Sequence, residues 1–239
     1  MKIGIIGVTG RVGRKVLACA MQNKISVIFG SASSNSPFLG SDLGELIDSA
    51  PTSLYVVKTV SAPFDETDLV IDFSLASATE ENIRKAVQHK KPLLIGSTGH
   101  APKTLELINE ASLKIPLLVS ANFSVGIQLC MEVVKMIAPH AEHSKIVEIH
   151  HTTKKDTPSG TALMLKKALN DKPYIESIRK DDQVGEHTII FDRENERITV
   201  THSSFSRAIF AEGALKAATF LLNQPPGLYN MADCLRAGD

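Results

Sequence analysis

At 239 residues the chain can bury a large core and has room for two modest domains. Its 26 basic and 26 acidic residues cancel, and no dense basic stripe breaks the balance, which argues against nucleic acid as a partner. Three cysteines, Cys19, Cys130 and Cys234, are too scattered for a metal centre and odd in number, which suits a reducing cytoplasm better than a disulfide framework.

Residues 2–6 read as a first strand, in an apolar opening too short and too glycine-broken for a secretory signal. No later run approaches the roughly 20 apolar residues of a membrane helix, so no membrane partner is expected. Residues 11–24 place Val12, Val16, Leu17, Ala20 and Met21 on one helical face. Strands are expected at 26–29, more weakly at 54–60, then at 69–73, 92–95 and 116–119. Their near-continuous Val, Ile and Leu content suits parallel strands covered on both faces. Helices are expected between them at 79–89 and 103–113. Such alternation predicts an α/β fold with an open, doubly wound sheet.

After Asn122 the character changes. Ser124 is placed to cap a helix running to about Ile137. A strand at 145–151, a loop at 152–159 and a helix at 160–169 follow. Residues 187–191 and 197–205 read as a hairpin across the polar turn 192–196. An apolar helix at 214–222 stops before Pro225, Pro226 and Gly227. The expected division is therefore 1–123 plus 207–239 for the first domain, to which the last helix returns, and 124–206 for a smaller second one.

The turn after the first strand runs Gly7-Val8-Thr9-Gly10-Arg11-Val12-Gly13. A dinucleotide fold needs glycines here for the tight turn, for close approach of pyrophosphate and for strand–helix packing. The helix N-terminus adds unpaired N–H groups and partial positive charge. The spacing is G-x-x-G-x-x-G, with Thr9 where a central glycine is commoner, and a structural glycine turn is the alternative. Gly96-Ser97-Thr98-Gly99 and Ser120-Ala121-Asn122-Phe123 also follow strands, where ligands collect in such sheets; ordinary turns would look the same.

The most informative stretch is Glu148-Ile149-His150-His151-Thr152-Thr153-Lys154, continuing through Pro158-Ser159-Gly160-Thr161. Successive strand residues point to opposite faces, so the two histidines share a pocket only if the strand ends there. Ser159, Gly160 and Thr161 open a helix and suit a carboxylate. Lys154 adds a cation and His151 a donor, and His150 is the natural general acid because imidazole titrates near neutrality. A zinc site is disfavoured, since adjacent histidines are not a usual ligand spacing and no cysteine is near. A solvated loop with incidental histidines stays open.

Residues 148–162 resemble the signature E-[IL]-H-H-x-x-K-x-D-x-P-S-G-T-A of dihydrodipicolinate reductases. Further segments are similar to that family in order along the chain. They are Gly7–Gly13 with Arg14, Ile71-Asp72-Phe73-Ser74, Gly96–Gly99, Ala121–Gly126, Gly185-Glu186-His187-Thr188, Thr201-His202, Ser206-Arg207, Phe210 and Gly213-Ala214. The resemblance implies a Rossmann-type first domain and a mixed-sheet substrate domain that assembles homotetramers. It implies reduction of a small dicarboxylate, 4-hydroxy-tetrahydrodipicolinate, by NADPH or NADH. It makes His150 the proton donor and Lys154 its catalytic and carboxylate-binding partner, with His151, Ser159, Gly160 and Thr161 as substrate ligands. The cofactor set it implies is Gly7, Val8, Thr9, Gly10, Arg11, Val12, Gly13, Phe73, Gly96, Ser97, Thr98, Ser120, Ala121, Asn122, Phe123 and Arg207. No metal is implied.

The chain departs from the family pattern between Asn170 and Gly185, which is short, and at Asp181-Asp182, where a glycine-containing turn is expected. The second strand is followed by Gly30-Ser31-Ala32-Ser33-Ser34 with no acid before Asp42. An acid there would accept from the adenosine ribose and repel a 2′-phosphate. Its absence, with Arg11 nearby, predicts that NADPH serves at least as well as NADH, unless the serines are a loop without discrimination. Two rival readings remain. An aspartate-semialdehyde or amino-acid dehydrogenase is one, though the former needs a nucleophilic cysteine. A non-catalytic nucleotide sensor is the other, and would need no proton donor.

Overall fold

A computed structural model describes residues 1–180 and 183–237, which form two compact units, Met1–Phe123 with Phe210 onward, and Ser124–Ile209. Among the described residues no helix is long and apolar enough to cross a membrane.

The first unit is built on β1 (Lys2–Ile6), β2 (Ser26–Ala32), β3 (Val56–Lys58), β4 (Leu69–Asp72), β5 (Leu93–Ile95) and β6 (Pro116–Val119). Helices α1 (Arg11–Gln22), α2 (Thr79–Gln88) and α3 (Pro102–Ser112) connect them. The strand order is β11-β6-β5-β4-β1-β2-β3, all parallel, where β11 (Gly227–Tyr229) comes from the chain's last segment. Ile3, Ile5, Leu69, Ile71, Leu93 and Leu94 are fully buried, as a sheet covered on both faces requires. Strand order reverses between β1 and β4, where such folds place their ligands.

Three boundaries differ from expectation. β2 continues to Ala32 rather than stopping at Phe29, because Gly30, Ser31 and Ala32 pair with Val56, Val57 and Lys58. The weak strand at 54–60 shortens to β3, its end winding into a single 3-10 turn at Thr59–Ser61. The last long helix, α6 (Ala208–Leu221), starts six residues before the expected 214, running through Gly213. A side chain there would overlap the Phe123 carbonyl oxygen, so the glycine is what lets α6 lie against that loop. A short helix, α7 (Met231–Arg236), also went unanticipated although Asn230 and Asp233 close a capping box on it.

The second unit is a mixed sheet ordered β10-β9-β7-β8. Its strands are β7 (His143–His150), β8 (Tyr174–Arg179), β9 (Gly185–Arg193) and β10 (Glu196–Ser204). β7 is antiparallel to β9 and parallel to β8. Helices α4 (Val125–Ile137) and α5 (Gly160–Ala168), capped by Ser124 and Ser159, cover one face through Ile127, Val134, Ile146, Leu165, Ile189 and Phe191. β8 was not anticipated. Its residues are at best half-buried, so neither face carries the alternation that marks a one-sided strand. Asp181 and Asp182, the expected turn departure, lie outside the described residues.

Candidate active site

In the first unit β1 delivers Gly7 in the left-handed region at φ +75°, where a Cβ would sit 2.7 Å from the Phe73 carbonyl oxygen. Gly7 and Val8 donate their N–H groups to Ser31 O at 2.9 and 3.1 Å, so neither is directed at a ligand. A side chain on Gly13 would overlap Gly7 O, which fixes how closely α1 packs under the turn. Gly10 begins α1 without a side-chain cap, and the first-turn N–H groups of Arg11, Val12 and Gly13 have no acceptor within the helix. Beside this terminus lies a cleft of about 420 Å³ bordered by Gly7, Gly10, Ala32, Ser34, Thr59 and Phe73. A glycine turn, an uncapped helix N-terminus and a cleft reaching the end of β2 fit a dinucleotide.

The other expected cofactor loops follow β4, β5 and β6. The Phe73 ring lies over Gly96, whose missing side chain makes room for it, and meets Phe123 edge-on at 5.4 Å between centroids. Ser97 Oγ is 3.0 Å from Thr79 Oγ1 and Ser120 Oγ donates to Asn122 O at 2.7 Å, so both loops are internally braced. Thr98 is exposed and Ala121 is exposed at the tip of its loop. Arg207, expected with this set, belongs to the second unit, where its guanidinium lies 3.1 Å from His151 Nε2.

In the second unit β7 ends at His150, so His151 is free to turn away from the strand. Glu148 and His150, two residues apart, share the helix-covered face. Cross-strand register surrounds them on that face. Ser177 and Arg179 on β8 stand opposite Glu148 and His150, and His187 on β9 stands opposite Glu148. Glu148 is fully buried and accepts from His150 Nδ1, from Arg179 at 3.0 Å and from the Ser159 N–H at 3.3 Å. Burial pulls its carboxyl up, but hydrogen bonds from Ser177 and Arg179 and the nearby positive charge hold it below the usual range. Burial pushes the His150 imidazole down; Glu148 opposes this, while Lys154 and Arg179 add to it. With Nδ1 engaged, Nε2 points toward Gly185, where a Cβ would come within 2.9 Å of it.

His187 meets His150 edge-on at 5.1 Å, and burial pushes its pKa down to about 3. Next in the row, His202 on β10 has Nε2 3.4 Å from Ser124 Oγ, and burial lowers it too. Ser159, expected as a substrate ligand, is buried and turned inward, its hydroxyl capping Ala162 N–H and lying 3.1 Å from His187 Nε2. Gly160 and Thr161 form the first turn of α5 behind it. Lys154 pairs with Asp156 at 2.7 Å, and His151 Nδ1 is 2.7 Å from Thr153 Oγ1. Glu148, His150 and His187 bring potential ligand atoms within 4.8 Å of one another, but Arg179 already neutralises Glu148, which does not suit a dication.

The structure therefore brings His150, Ser159 and the α5 terminus into one network. Glu148, Arg179 and His187, which had no role assigned from sequence, tie that network together. Glu148 and His187 stood in the quoted motifs; Arg179 was hidden with its strand.

Two family profiles match in tandem, dihydrodipicolinate reductase N-terminus over residues 1–123 and C-terminus over residues 126–235. The 4-hydroxy-tetrahydrodipicolinate reductase of Pseudoalteromonas atlantica is 36% identical, covering 98% of each chain. That of Caldanaerobacter subterraneus subsp. tengcongensis is 35% identical, covering 100% of this chain and 99% of its own. The fold is similar to the dipicolinate-bound dihydrodipicolinate reductase of Paenisporosarcina sp. TG-14, with a TM-score of 0.75 at 22% identity over 96% of this chain and 97% of that one. Profiles and relatives spanning both units agree, and the chain belongs to the dihydrodipicolinate reductase family.

Proposed function

We propose the following division of labour for the reaction this chain catalyses, the NAD(P)H-dependent reduction of 4-hydroxy-tetrahydrodipicolinate to tetrahydrodipicolinate in lysine and diaminopimelate biosynthesis. The reaction takes up one hydride and one proton and releases water. When bound, the dihydronicotinamide supplies the hydride. The first turn of α1, with N–H groups unclaimed within the helix, receives the pyrophosphate. Gly96–Thr98 and Ser120–Phe123, braced as described, border the nicotinamide.

His150 delivers the proton from Nε2, its ring fixed at Nδ1 by Glu148. The two carboxylates of the substrate are met by Lys154, His151 and the N-terminus of α5 at Gly160 and Thr161. Negative charge arriving beside His150 favours the imidazolium and offsets the depression that burial imposes. Ser159 contributes by position, since its own polar groups are used internally.

The observation that carries this reading is the buried Glu148–His150 pair at a strand end beside a capped helix N-terminus. Absorbance-monitored NAD(P)H oxidation with freshly generated substrate tests it. Turnover should be lost in His150→Gln with cofactor binding retained.

NADPH serves at least as well as NADH. The residues that end and follow β2 on the cleft, Ala32, Ser33 and Ser34, carry no carboxylate, and Lys58 is the register partner of Ala32 on β3. The enzyme works in the cytoplasm as a homotetramer. In support, the sheet face turned from α4 and α5 carries Val147, Ile149, Ile178 and Ile190, all half-buried.

A further inference from the structure

We propose that Glu148 and Arg179 are a positioning pair that locks the His150 ring and fastens the Lys154-bearing loop beside it. The proposal rests on the reading of His150 as proton donor and adds two residues that set its geometry.

One guanidinium spans both halves of the site. Arg179 Nη1 donates to Glu148 Oε1 at 3.0 Å, and Nη2 donates to Asp156 O at 2.6 Å and Thr157 Oγ1 at 3.0 Å. Asp156 in turn holds Lys154 Nζ with both carboxylate oxygens, at 2.8 and 2.7 Å. A continuous chain therefore runs from the imidazole through Glu148, Arg179 and Asp156 to the ammonium. Its β7 end is rigid, because Glu148 is fully buried and opposed by Ser177 on one neighbouring strand and His187 on the other. Its loop end has no sheet pairing, so the planar fork of Arg179 supplies the anchor there. Lysine offers one point charge and cannot reproduce it.

Glu148 acts on His150 in two ways. Its carboxylate accepts from Nδ1, which leaves Nε2 as the nitrogen free to deliver a proton. It also favours the imidazolium, whereas Arg179 disfavours it. The groups that face His150 are Glu148 on its own strand, Arg179 on β8, His187 on β9 with His202 behind it, and Lys154 from the loop. His187 stays neutral, so Glu148, Arg179 and Lys154 are the charges that tune the donor.

The test is the pH profile of kcat/KM, which for a proton donor is high below its pKa and falls above it. Glu148→Gln should move this limb to lower pH and cut kcat about 10-fold or more. Arg179→Met should move it to higher pH and raise KM, because a cation is removed and the loop is released. Arg179→Lys should keep the limb near its original position while KM still rises. NADPH affinity, measured by fluorescence titration, should be unchanged in all three. A merely structural pair would lower activity without opposed shifts, so Glu148→Gln and Arg179→Met limbs that stay put or move together overturn the proposal, as does an Arg179→Lys limb that moves with that of Glu148→Gln. Should Arg179→Met fail to fold, Glu148→Gln and Arg179→Lys still decide. His150→Gln is run alongside: near-normal turnover in that variant removes the proton-donor reading itself, whereas an inactive His150→Gln with unshifted limbs removes only this pair.

Discussion

The Ser159 hydroxyl caps α5 through the Ala162 N–H and at the same time lies 3.1 Å from Nε2 of His187. His187 is thereby wedged between a helix N-terminus, whose partial positive charge repels a proton, and the His150 ring. Burial is the largest cause, His150, His202 and Lys154 add to it while Glu148 opposes it, and the pKa falls from 6.5 to about 3. The folded state therefore binds fewer protons than the unfolded chain between those values. Its contribution to stability is complete above about 6.5 and is lost as pH falls toward about 3. Urea midpoints between about pH 5 and 7 should fall with acid in the wild type, and less steeply in His187→Gln, by up to roughly 1.4 kcal/mol per pH unit. Equal slopes would show that His187 is not the group responsible.

Lys154 and His150 should fail differently. Loss of a general acid costs about 10²–10⁴-fold, so His150→Gln should lower kcat by at least the smaller figure. Lys154→Ala should raise KM and lower kcat together, since the ammonium meets a carboxylate in both ground and transition states. A Lys154 variant altered only in cofactor affinity would show that the residue serves the cofactor and not the substrate.

A methyl group at Gly13 has nowhere to go, because the obstacle is the Gly7 backbone carbonyl. Gly13→Ala should shift the turn against α1 and weaken NADPH binding about 10-fold or more, equivalent to 1.4 kcal/mol or above. Fluorescence titration reads this directly. Unchanged affinity would mean that the turn does not hold the pyrophosphate.

Cofactor choice is best probed at Ser33. Ser31 and Ala32 are unsuitable because both are buried, the Ser31 carbonyl holding Gly7 and Val8 and the Ala32 carbonyl accepting from Thr59 Oγ1 at 3.1 Å. Ser33→Asp places an exposed carboxylate just beyond β2 on the border of the cleft and should shift kcat/KM toward NADH. In the unmodified protein a tenfold advantage for NADH would contradict the proposed cofactor use.

Light scattering at micromolar concentration should return a tetramer. Replacing Ile149 and Ile190 by Glu on the outer sheet face should dissociate it, and a wild-type monomer would dismiss that face as an interface.

The first unit was largely legible because its buried strands are runs of Val, Ile and Leu and its glycines stand at fixed places in a strand–turn–helix. The second was legible where chemistry and capping coincide, at His150 and Ser159. Arg179 escaped because a strand half-buried on both faces has no periodic signature, and because its role arises from pairing in register with His150. The inward turn of Ser159 and the contact of Arg207 with His151 are likewise tertiary facts. β11 was masked by Pro225 and Pro226, which mark a helix stop but do not forbid a short strand two residues later. The Asn230–Asp233 capping box was readable and could have announced α7.

The addition of β11 to the edge of the large sheet has a consequence for biosynthesis. β11 is translated after the whole of the second unit, so during synthesis β6 waits with a row of unpaired backbone groups while that unit emerges. Such an edge is a template for pairing with other chains. A ribosome stalled after α6 would leave a nascent chain whose first unit is nearly complete yet adhesive along one side, and the three residues of β11 are what retire that edge.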